Sequence, residues 1–193
     1  MKKNKALLIV LLAFVLLMGG AYVLYQKLSQ GTAADQLAVQ DSSQAPEETG
    51  GGEAEKTLAP DFTVYDRDHK EAHLSDFVGK PVVLNFWASW CGPCQSEMPD
   101  FDEVYAELGD EIQFLMVNLT TSDRESFEKA TGLIDERGYS FPVFYDLDGN
   151  AATTYGVYSL PTTYFIDAEG YGVARATGAI NGETLQRGID MIR

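Results

Sequence analysis

Cys91 and Cys94 are the only cysteines in a chain of 193 residues, and only Gly92 and Pro93 separate them. A bridge across so short a loop removes little chain entropy, so the pair contributes little as a structural staple. It reads instead as a switch that opens and closes. The flanks fix where the switch sits. Upstream, Val82-Val83-Leu84-Asn85-Phe86-Trp87 is a β-branched and aromatic run that predicts a buried strand; downstream, Glu97 to Tyr105 predicts a helix. The cysteines therefore lie where a central strand turns into a helix.

That placement supplies the chemistry. Unpaired backbone N–H groups and the positive end of the helix dipole favour a thiolate on Cys91, and only the thiolate attacks disulfides. Cys91 is the expected nucleophile. One turn on, Cys94 is placed to attack a mixed disulfide and release the substrate, which makes it the expected resolving thiol. A zinc site is the other reading of paired cysteines, and it lacks further cysteines and well-placed histidines.

The segment Asn85-Phe86-Trp87-Ala88-Ser89-Trp90-Cys91-Gly92-Pro93-Cys94-Gln95-Ser96-Glu97-Met98-Pro99 resembles the active site of thioredoxin-like proteins, specifically the membrane-anchored thiol-disulfide oxidoreductases of the TlpA/ResA type. The resemblance covers residues 58 to 193. Pro99 matches the helix-kinking proline of that family, Leu160-Pro161-Thr162 its cis-proline loop, Asp167-Ala168-Glu169-Gly170 the following turn, and Gly178 the glycine before the last helix. The resemblance implies a substrate-binding surface made by Trp90, Gly92 and Pro93 around the nucleophile, and by the backbone of Leu160 before Pro161. It implies no cofactor beyond the redox-active Cys91–Cys94 pair.

Thioredoxin itself carries a buried aspartate where this chain has Asn85, which cannot accept a proton from the resolving thiol. Glu97 is the expected substitute. At three residues from Cys94 it shares a helix face with that thiol, and similar proteins of the TlpA/ResA type have a glutamate there. A partly desolvated carboxylate beside two thiols should have a raised pKa and act as a base toward Cys94. The alternative is an exposed helix glutamate with weak surface contacts.

The amino terminus points to location. Lys2, Lys3 and Lys5 precede an uncharged run of 20 residues, Ala6 to Tyr25, which spans ~30 Å as a helix. Residues 1–28 are expected to form an uncleaved signal-anchor, with the lysines inside and the rest of the chain outside the cytoplasm of a bacterial cell. No cysteine follows the run, which excludes a lipoprotein anchor. Residues 29–57, rich in Ser, Gln, Gly, Ala, Thr and Glu, read as a flexible tether. The formal net charge of −15 repels phosphate, so nucleic acid is not the partner.

Residues 58–193 suffice for one domain with its own core. Phe62 to Asp66 and Lys70 to Leu74 predict a hairpin across Arg67-Asp68-His69; strands follow near 82–87, 112–119 and 141–145. Ser122-Asp123-Arg124-Glu125 reads as a capping box opening a helix to Arg137, with Gly132 weakening its middle. A short helix at 151–157, a hairpin of 162–166 with 172–176, and a last helix capped by Asn181 complete the pattern. The expected fold is α/β: a thioredoxin fold with a central mixed β-sheet flanked by helices on both faces, an N-terminal hairpin and a central helical insertion.

Other features carry less. His69 and His73 edge a turn with no third ligand, Asp146 to Asn150 resembles a calcium loop with its glycine misplaced, and Asn118-Leu119-Thr120 lies at a buried strand end. Trp87 and Tyr164, with Trp90, are candidates for the groove edge, core packing being the stronger reading for Trp87. Functionally, the resemblance implies a reductase of client disulfides, such as those of apocytochrome c or a methionine sulfoxide reductase, fed by a membrane thiol-electron transporter. A disulfide-forming oxidant is disfavoured by Gly92-Pro93, because oxidants of this fold place a histidine there. A peroxidase would want threonine and arginine around a lone cysteine, and a metallochaperone a third soft ligand.

Overall fold

Alternation along a single buried strand organises the molecule. The computed structural model describes residues 37–39, 57–121 and 123–193. Its strands are β1 (Leu37–Val39), β2 (Thr57–Leu58), β3 (Thr63–Tyr65), β4 (Glu71–His73), β5 (Val82–Trp87), β6 (Gln113–Asn118), β7 (Val143–Tyr145), β8 (Thr162–Ile166) and β9 (Tyr171–Thr177). Its helices are α1 (Gly92–Leu108), α2 (Phe127–Arg137), α3 (Asn150–Thr154) and α4 (Gly182–Asp190), with a 3₁₀ turn at Leu74–Phe77. The strands form one mixed sheet in the order β1-β9-β8-β5-β6-β7-β3-β4, and β2 also pairs with β9. β5, β6 and β7 run parallel, while β8 lies antiparallel to β5.

All six residues of β5 are buried, which is the pattern of a strand covered on both faces. Val83 and Trp87 pack on one face with Met98 and Phe101 of α1, Ile134 of α2, and Leu185 and Ile189 of α4. Val82, Leu84 and Phe86 pack on the other with Phe62, Val64, Leu74 and Ala151. Period-2 alternation puts Asn85 on the first face, under α1. A polar side chain is thereby carried into the apolar layer beneath the cysteines.

The expected hairpin forms as β3 and β4, and it joins the sheet edge through β7. One expectation needs correction. The helix before Arg137 starts at Phe127, capped by Ser126, whose side chain accepts from the Lys129 N–H. Asp123 to Glu125 lie outside it because the Glu125 carboxylate is engaged with the cysteine loop instead; Ser122 is outside the described residues. Within the 29–57 segment Leu37–Val39 and Thr57 pair antiparallel with β9, as does Leu58 at the start of the domain. Backbone groups on the exposed side of an edge strand recruit extended chain regardless of its composition. The rest of that segment and the expected signal-anchor at 1–28 lie outside the described residues.

One contact fixes how closely α4 approaches the sheet. A Cβ on Gly188 would fall 2.2 Å from ring atoms of the buried Phe165 of β8. Alanine gains about 0.5–1 kcal/mol over glycine inside a helix, but overpacking a core costs about 1–3 kcal/mol. The clash should win. Gly188→Ala is expected to lower the urea-unfolding midpoint by on the order of 1 kcal/mol of stability, and an unchanged or raised midpoint would contradict this packing.

Candidate active site

The chain leaves β5 at Trp87, turns through Ala88, Ser89 and Trp90, and enters α1 with Cys91 as its N-cap. Cys91 Sγ accepts a hydrogen bond from the Cys94 backbone N–H at 3.2 Å. The two cysteines form a disulfide with Cα atoms 5.3 Å apart. Cys91 is 4% exposed and Cys94 fully buried, so the first sulfur is the one nearer to solvent. Gly92 and Pro93 occupy the exposed first positions of the helix, where a proline has no N–H to waste. On reduction, the sulfur at the helix start faces unpaired N–H groups and the positive end of the dipole, which stabilise a thiolate there.

The loop is pinned from below. Glu125, only 7% exposed, accepts from the Ser89 N–H, from Ser89 Oγ at 2.8 Å and from Asn118 Nδ2 at 3.3 Å. Gln95 Nε2 donates to the Ser89 carbonyl at 2.6 Å. Three hydrogen bonds at Ser89 therefore hold the turn that presents Cys91, and Asn118 steadies the carboxylate that makes two of them. Composition gave no sign of this clamp, because an acid within a polar stretch looks like surface.

Glu97 is not an exposed helix glutamate. It is 2% exposed, one helical turn beyond Cys94. Its Oε1 accepts from Asn85 Nδ2 at 2.8 Å and its Oε2 from the Ile180 N–H at 3.0 Å. Asn85 Nδ2 also donates to Thr163 Oγ1 at 3.0 Å, whereas Asn85 Oδ1 has no partner. Burial pushes the Glu97 pKa up to about 8, against the two hydrogen bonds, which pull it down; the nearby Asp100 adds to the rise. Thr163 and Ile180 escaped the sequence reading, since they belong to segments far along the chain. The available signal was Asn85 itself, an amide in a strand otherwise apolar.

The Leu160–Pro161 peptide is cis, and the Pro161 carbonyl accepts from the Gly178 N–H at 2.9 Å. Register pairs Phe86 with Thr162, which sets Pro161 beside the end of β5 where the cysteine loop departs. Trp90 is 40% exposed next to Cys91, with the Arg124 guanidinium over its ring. Trp87 is fully buried, and Tyr164 is buried in the core on the far face, so neither edges the groove. His69 stacks on Phe127 and His73 pairs with Glu71. Among the described residues no three His, Cys, Asp or Glu side chains come together as a metal site. Asp146 is buried and accepts from the N–H groups of Ala151 and Ala152, so it holds the start of α3.

A raised carboxylate pKa has a stability consequence of definite sign. Between pH about 4.5 and about 8 folded Glu97 keeps a proton that the unfolded chain has lost. Its contribution is complete below that window and is lost as pH rises through it. Unfolding free energy of the oxidised protein should therefore fall with pH there, by up to about 1.4 kcal/mol per pH unit from this group. Glu97→Gln should flatten the difference; parallel pH profiles for the two proteins would place the carboxyl in a polar environment instead.

Residues 56–171 match the AhpC/TSA family. The thiol-disulfide oxidoreductase ResA of Bacillus thuringiensis subsp. konkukian (strain 97-27) is 34% identical over 189 residues, covering 96% of this chain and 95% of that protein. Two solved structures share the fold. A thiol:disulfide interchange protein DsbE from Chlorobium tepidum, described as putative, superposes with a TM-score of 0.61 at 31% identity, covering 69% of this chain and 94% of its own. The exposed lipoprotein thioredoxin Etrx1 of Streptococcus pneumoniae strain TIGR4 gives 0.57 at 38% identity, covering 68% and 99%. With a helix-capping cysteine pair on a thioredoxin-type sheet, the chain belongs to the AhpC/TSA family as a thiol-disulfide oxidoreductase of the ResA type.

Proposed function

We propose that this oxidoreductase is a membrane-tethered reductase that acts outside the cytoplasm on disulfides of client proteins. The observation that carries the reading is the asymmetric pair: Cys91 capping the helix as the sulfur nearer to solvent, and Cys94 fully buried one turn from a buried carboxyl. The Cys91 thiolate attacks one sulfur of a client disulfide, forming a mixed disulfide and expelling the other client sulfur as a thiolate. Cys94, giving its proton to Glu97, then attacks Cys91 Sγ and expels the second client sulfur. Two electrons pass to the client and the protein is left with the Cys91–Cys94 disulfide. A membrane thiol-electron transporter returns both electrons. A base with a pKa near working pH suits that proton transfer.

Trp90, Gly92 and Pro93 border the nucleophile, and the backbone before Pro161 offers an edge for an extended client segment. The absence of an imidazole between the cysteines favours reduction over oxidation, because a cationic neighbour would stabilise the thiolate further and raise the potential. Tethering rests on Lys2, Lys3, Lys5 and the apolar run that follows. Among the described residues no helix is long and apolar enough to cross a membrane. Clients in keeping with the ResA likeness are apocytochrome c and a methionine sulfoxide reductase.

Equilibration with a thiol redox buffer should give a reduction potential nearer to about −270 mV, as in thioredoxin, than to about −120 mV, as in a strong oxidant. A value at the upper end would assign disulfide formation instead. Cys94→Ser should accumulate mixed disulfides through Cys91, and mildly acidic alkylation should modify Cys91 first; faster labelling of Cys94 would reverse the two roles. Glu97→Gln should slow release of the mixed disulfide by roughly 10²-fold and change its pH profile. Identical profiles would leave water as the proton acceptor.

A further inference from the structure

The cysteine chemistry leaves one neighbour of the nucleophile unexplained. The Arg124 guanidinium lies 4.1 Å from the centroid of the Trp90 ring, and Trp90 directly precedes Cys91. Arg124 is held there by its own neighbour. The buried Glu125 carboxylate binds Ser89 Oγ at 2.8 Å, the Ser126 N–H at 3.0 Å and Asn118 Nδ2 at 3.3 Å, stapling this stretch to the loop that carries Trp90. The Arg124 carbonyl also accepts from Lys129 Nζ at 3.1 Å, which brings a second cation to the same backbone.

A guanidinium stacked on an indole presents its N–H edge outward. Among the described residues Arg124 has no carboxylate partner, although the chain carries 29 acidic residues against 14 basic ones. A net charge of −15 repels an acidic client at long range. Beside Cys91 the exposed Arg124 guanidinium is a local positive charge; of the two acids that flank it in sequence, Asp123 and Glu125, the second is buried with its carboxylate turned to Ser89. Planar guanidinium matches a carboxylate in two parallel hydrogen bonds, and the exposed part of the Trp90 indole offers apolar surface to a side chain or peptide plane beside it.

We propose that the Arg124–Trp90 stack is a client-recognition platform that selects segments bearing an aspartate or glutamate beside the cysteine to be attacked. This rests on the reductase reading above and names the substrate class of that site.

The test uses the full chain in its dithiol form in single turnovers at low ionic strength. Three synthetic disulfide-bridged peptides differ only in the residue before the attacked cysteine, which is Asp, Asn or Lys. The readout is the ratio of rate constants for the Asp and Lys peptides within each protein, which is independent of how much active protein each preparation holds. Wild type should prefer Asp by about tenfold, with the preference shrinking as salt is added. The ratio should approach one in Arg124→Gln, invert in Arg124→Glu and be largely restored in Arg124→Lys. A ratio near one in wild type, or the same ratio in Arg124→Gln, overturns the platform while leaving the reductase reading intact. Failure of wild type to reduce any of the three peptides overturns both.

Discussion

The hydrogen bond from Asn85 to Glu97 joins the middle of the central strand to the helix that the cysteines open, and the site is built around it. Burying the Glu97 carboxyl to 2% exposure would be prohibitive without partners. Asn85 of the strand and the Ile180 backbone before α4 supply one each. Because β5 is locked on both edges by β6 and β8, the donor cannot follow the helix if it shifts. The distance between Cys94 and the sheet is thus set by a polar contact inside an apolar layer. Orphaned Asn85 Oδ1 shows that satisfying the glutamate took precedence over satisfying the amide.

The same logic explains the second buried acid. Glu125 does for the loop what Glu97 does beneath the helix, but with donors from a turn, a strand end and its own following residue. One carboxyl lies in a poorly solvating interior and is pushed toward its neutral form; the other collects several donors in a tight polar turn. Two acids of the same chemical type therefore serve different ends through their surroundings alone.

Much of this was legible in the sequence. The run Val82–Trp87 gave the central strand because two-sided burial leaves a continuous apolar record, and Cys91, Gly92, Pro93 and Cys94 gave the helix start through their spacing. Asn181 announced the start of the last helix because capping is a local interaction. What the sequence hid was non-local. Ser122 to Glu125 satisfied the pattern of a capping box, but the acid found better partners across a loop than along its own chain. Leu37–Val39 looked like tether because pairing at a sheet edge draws on backbone groups and leaves little trace in side chains. Thr163 joined the site only through register, which no window along the chain records.

A sulfur that caps a helix leads a double life. In the disulfide Cys91 Sγ accepts the Cys94 amide, and an anionic sulfur in the same place is a much stronger acceptor than a bridged one. Each electron pair that enters or leaves therefore also tightens or loosens the first turn of α1. Protein architecture and electron affinity become a single equilibrium here. Any change that makes the first turn easier or harder to wind, however far from sulfur chemistry it looks, tunes the enzyme's appetite for electrons.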